Sequence, residues 1–501
     1  MIGSHSSPHL LICLLMLVVA LAGCNAPAEK RDAPEVPDKV LPPGCDPEHA
    51  AVPHLADGRV ATSEVVVIPC LLRLGARSFE PTIGIASDGS VFVYPVRHPF
   101  PGETARMARS TDEGATWEIL TPNTNEIPTH PYSLDPYLYL DPTTDRIFAD
   151  DLMMAPPTCG MMSISDDDGT TWKHGPSGCA ITDHVTIFAG VPTVSTTSDY
   201  PNVVYRCGNS GGGLNRYSTM VSCQRSLDGG TTWMPPGEPV FTFGPGLTGR
   251  LPEASPIASC TGGIGHGATG ASGTVFIPRG HCGQPWLAIS DDEGATWERV
   301  QVSELGSRCT PFEGPGGDCD HDAAVAVDAA GNVFFAWITA ERWLALTHST
   351  DGGHTWSPAQ NITAPGVEEA AFVELAAGTG GRIAVAYLGT ADSPRPDFEL
   401  DAYATTAWDG YLALSHDALA EVPLFHSARL NPIDDPLIRG DCGPGACGRL
   451  GDFIDIRIAP DGAPWAPFVD ACFEECRAGG PQDGNEGLVG RLWGGPSLRR
   501  V

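Results

Sequence analysis

Lysine is almost missing from this chain: Lys30, Lys39 and Lys173 are the only three in 501 residues. With 29 basic against 61 acidic side chains, the formal net charge is −32. The sequence therefore lacks the cation excess that neutralises phosphates or holds to anionic lipid, which excludes sequence-independent nucleic-acid binding and purely electrostatic membrane attachment. Long apolar runs are also lacking, apart from one near the N-terminus. The 59 glycines and 46 prolines point to turns and short strands rather than long helices. The length suffices for two or three average domains or one large repeat array, and for a buried core.

The exceptional apolar run, LLICLLMLVVALAG, follows MIGSHSSPH. It is shorter than the about 20 residues that a bilayer span needs and reads as an export signal. It ends in Leu21-Ala22-Gly23-Cys24, which resembles the lipobox of bacterial lipoproteins. That resemblance implies cleavage before Cys24, a lipid on its thiol and, with Asn25 next, the outer membrane. The first ten residues hold neither Lys nor Arg, so an ordinary secretory signal stands as the alternative. The expected organisation is a signal peptide over 1–23, a Pro-rich extended tether over 24–60 and a folded domain over 61–501.

Setting aside Cys13 and Cys24 leaves 14 of the 16 cysteines, an even number suited to an oxidising compartment. Cys159 with Cys179, Cys207 with Cys223, Cys260 with Cys282 and Cys309 with Cys319 read as local staples. Cys442, Cys447, Cys472 and Cys476 read as disulfides, with a zinc site as the alternative on spacing.

One turn is written five times: STDEGATW, SDDDGTTW, SLDGGTTW, SDDEGATW and STDGGHTW, starting at Ser110, Ser165, Ser226, Ser290 and Ser349. A degenerate copy, SHDAL, starts at Ser415. The Asp of each copy (Asp112, Asp167, Asp228, Asp292, Asp351) can accept hydrogen bonds from turn amides. The Gly two positions on can take positive φ, and the Trp supplies a plate for packing between units. These acids are structural rather than catalytic. Calcium is excluded because the EF-hand alternation, its terminal Glu and its flanking helices are missing.

Seven pairs of alternating apolar strands precede these turns, from EPTIGIASDGSVFVYPV to DFIDIRIAPDGAPWAPFVD. A strand pair followed by such a hairpin makes a four-stranded antiparallel unit, and radial repetition of such units is a β-propeller. The expected fold is thus all-β, a propeller of seven four-stranded antiparallel blades, with six as the alternative. The last unit has only GLVGRLW after its first two strands, so the N-terminal run SEVVVIPCLL is expected to supply the closing strand.

The repeated octapeptide resembles the Asp box, S-x-D-x-G-x-T-W, of the sialidase superfamily. The resemblance covers roughly residues 75–495 and implies a glycan-directed propeller, of sialidase type if catalytic. Sialidases hold the substrate carboxylate with three arginines, use an Asp as acid/base and attack with a Tyr activated by a Glu. The Arg-Ile-Pro that normally carries the first arginine is missing here; Ile68-Pro69 has no Arg before it. Arg73 or Arg77 is a substitute, with Arg97, Arg250, Arg342, Arg449 and Arg457 as later candidates and Tyr387 and Tyr403 as tyrosine candidates.

In propellers, residues opening the innermost strand of each blade line the mouth of the central channel. Aligning the seven units puts Glu80, Asp135, His184, His266, Asp322, Glu369 and Asp452 there. Carboxylates gathered in one concave site shift one another's pKa values, as general acid chemistry requires. Asp135 paired with Glu80 or Asp322 is the expected catalytic set, with His184, His266, Glu369 and Asp452 as channel-mouth binding residues. GNSGG and GHGATG lack the helix and the βαβ context of a nucleophile elbow and a dinucleotide site. No cofactor is expected, although a structural cation near Asp318, Asp320 and His321 fits the acidic loop there. The expected partners are a glycan or surface protein and a membrane reached through Cys24, with the chain as a monomer. A non-catalytic envelope propeller for binding or scaffolding is the alternative function.

Overall fold

A computed structural model describes residues 41–96, 105–122, 136–152, 160–178, 181–196, 198–210, 220–241, 264–281, 283–308, 323–392, 405–440, 442, 447 and 449–499. Asp135, Asp318, Asp320, His321, Asp322, Cys24, Arg97, Arg250 and Tyr403 lie outside these residues, as do Cys159, Cys179, Cys260, Cys282, Cys309 and Cys319. The described chain is all-β and antiparallel, in six sheets of which three have four strands, and propeller-like in organisation.

Sheet I has seven strands in the order Arg457–Ile458, Pro464–Asp470, Glu486–Trp493, Ile68–Ile85, Val91–Val96, Arg106–Ser110 and Glu118–Leu120. Sheets II to VI then follow the sequence, opening with Tyr137–Leu140, Ile181–Gly190, Ala268–Thr269, Ala323–Val327 and Glu369–Ala377. The long strand Ile68–Ile85 divides sheet I into two halves. Its first part, Ile68 to Arg73, pairs with Trp493 to Leu488, and its second part, Thr82 to Ile85, pairs with Tyr94 to Val91. All but the last residue of the first stretch falls within the run SEVVVIPCLL.

These strands form because β-branched and aromatic residues sit between neighbouring sheets and are covered on both faces. Val333–Ile338, VFFAWI, is buried at every position. The apolar clusters run in sequence: Phe92 and Tyr94 of sheet I pack with Leu138 and Ile147 of sheet II, Phe276 of sheet IV with Phe335 of sheet V, and Phe334 of sheet V with Val385 of sheet VI. Leu412 of sheet VI then packs with Phe468 and Leu488 in the late half of sheet I. That half packs in turn against the early half through Leu72, Val489, Ile83 and Val93.

Residues 41–60, expected from composition to belong to the tether, carry a strand. Val52–Leu55 extends sheet VI by pairing with Leu424–Arg429, and Cys45 is bonded to Cys70. Pro and charge mask this strand in the sequence, because an edge strand buries only one side. Among the described cysteines, Cys207–Cys223, Cys442–Cys447 and Cys472–Cys476 are also disulfides. The last two occupy the four sulfurs that spacing alone allowed as zinc ligands.

Each repeated turn closes in the same way. The Ser hydroxyl donates to the Asp Oδ1 at 2.7–2.9 Å and accepts the Gly amide at 2.8–2.9 Å. The Thr amide donates to the same Oδ1, and the Thr hydroxyl donates to Oδ2 at 2.6 Å in all five copies. The degenerate copy keeps the Ser415–Asp417 bond at 3.0 Å. Hydrogen bonds from Thr116 and Thr355 hold the carboxyls of Asp112 and Asp351 below the usual range, so these groups stay anionic acceptors.

The residue between Asp and Gly is also left-handed, at φ 58 for Glu113, 56 for Asp168, 68 for Gly229 and 59 for Glu293. In four turns an arginine grips this residue. Arg491 pairs with the Glu113 carboxylate at 2.9 Å, and Arg109, Arg146 and Arg225 donate to the carbonyls of Asp168, Gly229 and Glu293 at 2.9, 3.1 and 3.0 Å. The turn is thus a socket for its neighbour as well as a hairpin.

Ser226 is fully buried and is the acceptor for Gly230 N–H. Ser226→Ala leaves that amide unpaired and is expected to destabilise the domain by about 1–3 kcal/mol. Urea denaturation checks this; an unchanged midpoint would contradict the role given to the turn.

Candidate functional site

The innermost strands position the site. Glu80, His184 and Phe372 are left-handed, at φ 51, 50 and 49, and each lies at a break in register with the following strand. A bulge of this kind re-aims the residues beside it. Two residues after the first two bulges stand Thr82 and Thr186. Their hydroxyls accept the amides of Leu138 and Gly267 from the next sheet, at 2.8 and 3.1 Å. Two residues after the third bulge stands Glu374, a carboxylate where the other two bulged strands place a threonine.

Glu374 meets charged groups from two other sheets. His266 Nδ1 lies 3.3 Å from Glu374 Oε1 and 3.6 Å from Asp455 Oδ1. Asp455 accepts from Arg457 at 2.5 Å and from the Ile83 amide at 3.1 Å, so it ties the two halves of sheet I together. Tyr137 stands edge-on to His266 at 5.1 Å. Glu374, His266, His184, Thr186 and Phe453 line a small cavity. Glu374, His266 and Asp455 are buried, whereas the Arg457 side chain keeps 29% of its surface exposed.

The electrostatics follow from burial and from opposed neighbours. Desolvation pushes the Glu374 carboxyl up to about 7, although His266 and Arg457 pull the other way. At His266 burial opposes the charged ring, but Glu374 and Asp455 outweigh it and raise its pKa above the ordinary value. Asp455 is also penalised by burial; Arg457 and His266 overcome this and hold it below the usual range. The arrangement can store and transfer a proton near neutral pH.

Of the residues read from the sequence, Glu80, His184 and Asp452 come together. Glu80 Oε1 accepts the Asp452 amide at 3.1 Å, and His184 Nε2 lies 3.1 Å from Asp452 Oδ2. His266 joins them through Phe453, whose ring lies 6.2 Å from His184 and 5.5 Å from His266. Glu369 lies three residues before the bulge at Phe372. Arg308 and Arg342 each approach it at 3.1 Å, and all three are buried.

Among the arginine candidates, Arg73 pairs with Glu486 and Asp470, Arg449 donates to the Gly484 carbonyl, and Arg457 belongs to the Glu374 cluster. Tyr387 is buried against Tyr411 at 5.2 Å and accepts the Ala364 amide. Sequence reasoning missed Glu374, Asp455, Tyr137 and Arg308. Glu374 stands two places after the bulge at Phe372, a break in register that nothing in the sequence marks, so no local signal singled it out. Among the described residues no group of side chains is arranged to hold a metal ion.

No family model matches the chain. No curated protein matches it either. Among solved structures it is similar to the BP39L lectin of Burkholderia pseudomallei at 12% identity and TM-score 0.45, covering 79% of this chain and 94% of that one. It is similar to the intramolecular trans-sialidase of Ruminococcus gnavus at 14% and 0.36, covering 88% and 94%. A mutant NanB sialidase of Streptococcus pneumoniae gives 11% and 0.38, covering 90% and 93%. At such identities and TM-scores no residue, substrate or activity is carried over from any of them.

Folding raises the pKa of both Glu374 and His266, so both contribute stability that is present at low pH. The Glu374 contribution is complete below its unfolded value of 4.5 and is lost as pH rises through about 7; that of His266 is lost in the same direction. Glu374→Gln removes the first titration. The melting temperature of this variant relative to the parent is expected to climb between pH 5 and pH 8, corresponding to about 1–3 kcal/mol. A difference independent of pH would contradict the assignment.

Proposed function

We propose that the chain is an exported, lipid-anchored, sialidase-like β-propeller that acts on or binds glycans at its central channel. The blades number seven in this reading, because the two halves of sheet I count separately and share the strand Ile68–Ile85. The succession of apolar clusters, returning from sheet VI to sheet I, supports a ring closed by that strand. The Leu21-Ala22-Gly23-Cys24 motif supports lipidation at Cys24 and an outer-membrane address.

The observation that carries the reading is the convergence of Glu374, His266, Asp455 and Arg457 from three sheets beside one cavity, with a carboxyl that titrates near pH 7. A carboxylic acid in that range can protonate a glycosidic leaving oxygen. Glu80, with Asp135 and Asp322, keeps its proposed place as an acid at the channel mouth. One observation favours the second reading, a non-catalytic glycan- or protein-binding propeller. Arg308 and Arg342 both approach Glu369, so each already has an anionic partner and is less available to a substrate carboxylate.

The test is hydrolysis by the full chain of a fluorogenic α-sialoside and a panel of other fluorogenic glycosides. The expected outcome is turnover of at least one, reduced about 100-fold or more in Glu374→Gln. Binding of a glycan without turnover would favour the second reading. Folded protein that neither hydrolyses nor binds any member would overturn the first reading and the glycan-binding form of the second, leaving a protein partner.

A further inference from the structure

A second concave surface lies away from the channel, between the outer strand Glu118–Leu120 of sheet I and the turn Ser165 to Trp172 of sheet II. It is an open cleft of about 470 Å³, within the range of small-ligand sites. Its base is the contact between Leu120 and Gly169. Gly169 has φ +78, and a Cβ there would lie 2.6 Å from Leu120 Cδ1, so the two sheets meet too closely for a side chain.

Each wall is held in place. The Trp172 indole N–H donates to the Gly169 carbonyl at 3.0 Å, which satisfies its polar edge and leaves the half-buried ring to offer an apolar face. Arg109 donates to the Asp168 carbonyl at 2.9 Å and to Glu118 Oε2 at 2.7 Å. Glu118 is 61% exposed at the rim, and His174, also exposed, has Nδ1 2.9 Å from Ser163 Oγ.

The chemistry narrows the ligand. Glu118 compensates Arg109, and the chain carries −32, so the cleft offers no excess positive charge to an anion. It is open, and therefore cannot strip water from a wholly apolar ligand. A fixed aromatic face beside a carboxylate, a guanidinium and the hydroxyl of Thr170 instead complements a ring with an apolar C–H face and hydroxyls around its edge. We propose that this cleft binds a neutral pyranose unit. Such a site is independent of the channel and of whether the channel is catalytic, and its exposure sets the affinity in the millimolar range.

The test is saturation-transfer NMR on the full chain, with the methyl glycosides of glucose, galactose, mannose and N-acetylglucosamine as probes. Trp172 also carries the packing of its turn, so the variants are Glu118→Ala and His174→Ala, both at exposed positions. At least one glycoside is expected to bind, with affinity about tenfold weaker in the double variant and unchanged in Glu374→Gln. Three results would overturn the proposal: no probe binds, the double variant binds as tightly as the parent, or binding is lost in Glu374→Gln. The last would move the sugar to the channel and leave the reading proposed for that site intact.

Discussion

One strand is held from both ends of the chain, and the other features follow from that constraint. Ile68–Ile85 gives Leu72 and its neighbours to the C-terminal strand Glu486–Trp493, and gives Ile83 and its neighbours to Val91–Val96. Between those two parts lies the bulge at Glu80. The two edges of sheet I would otherwise present unpaired amides and carbonyls. Because the same strand serves both halves, the loop around Asp452 is drawn against Glu80, and Asp455 reaches the Ile83 amide. The geometry of the cluster around Glu80 and Asp455 is therefore set by how residues 449–493 meet the strand Ile68–Ile85.

The repeated turn acts at the rim rather than at the centre. Its Ser, Asp, Gly and Thr satisfy one another, and two successive left-handed residues rotate one carbonyl or side chain toward the preceding sheet. Arg109, Arg146, Arg225 and Arg491 take hold there. An arginine fixed to a backbone carbonyl positions a sheet without adding a free cation to the surface. Two of them, Arg109 and Arg225, stand immediately before the Ser of their own turn, so one unit's motif carries the grip on the next.

Much of the architecture was legible because it rests on local rules. Alternation with period two gives strands, and the octapeptide contains every hydrogen-bonding group its turn uses. The edge strand Val52–Leu55 was not legible, since its order comes from pairing with Leu424–Arg429 and from the Cys45–Cys70 bond, both distant in sequence. The site divides in the same way. Glu80, His184 and Asp452 were singled out as strand openings, and the fold brings them together, but Glu80 and His184 stand at bulges inside the longer strands Ile68–Ile85 and Ile181–Gly190. Glu374 could not be singled out, because nothing near it in sequence distinguishes a buried carboxylate from a solvated one. Its character comes from His266 and Asp455, more than eighty residues away on either side. Glu369 illustrates the converse: its position suggested a binding residue, while its two arginine neighbours are known only once the chain is folded.

The double use of Ile68–Ile85 is tested most directly by amide hydrogen exchange in Leu72→Pro, where the ring nitrogen can no longer donate and the pairing with Val489 is disturbed. The account predicts faster exchange at both ends of the chain, in Glu486–Trp493 and in Val91–Val96, with the loop around Asp452 loosened as well. Faster exchange confined to residues 68–73 would contradict it.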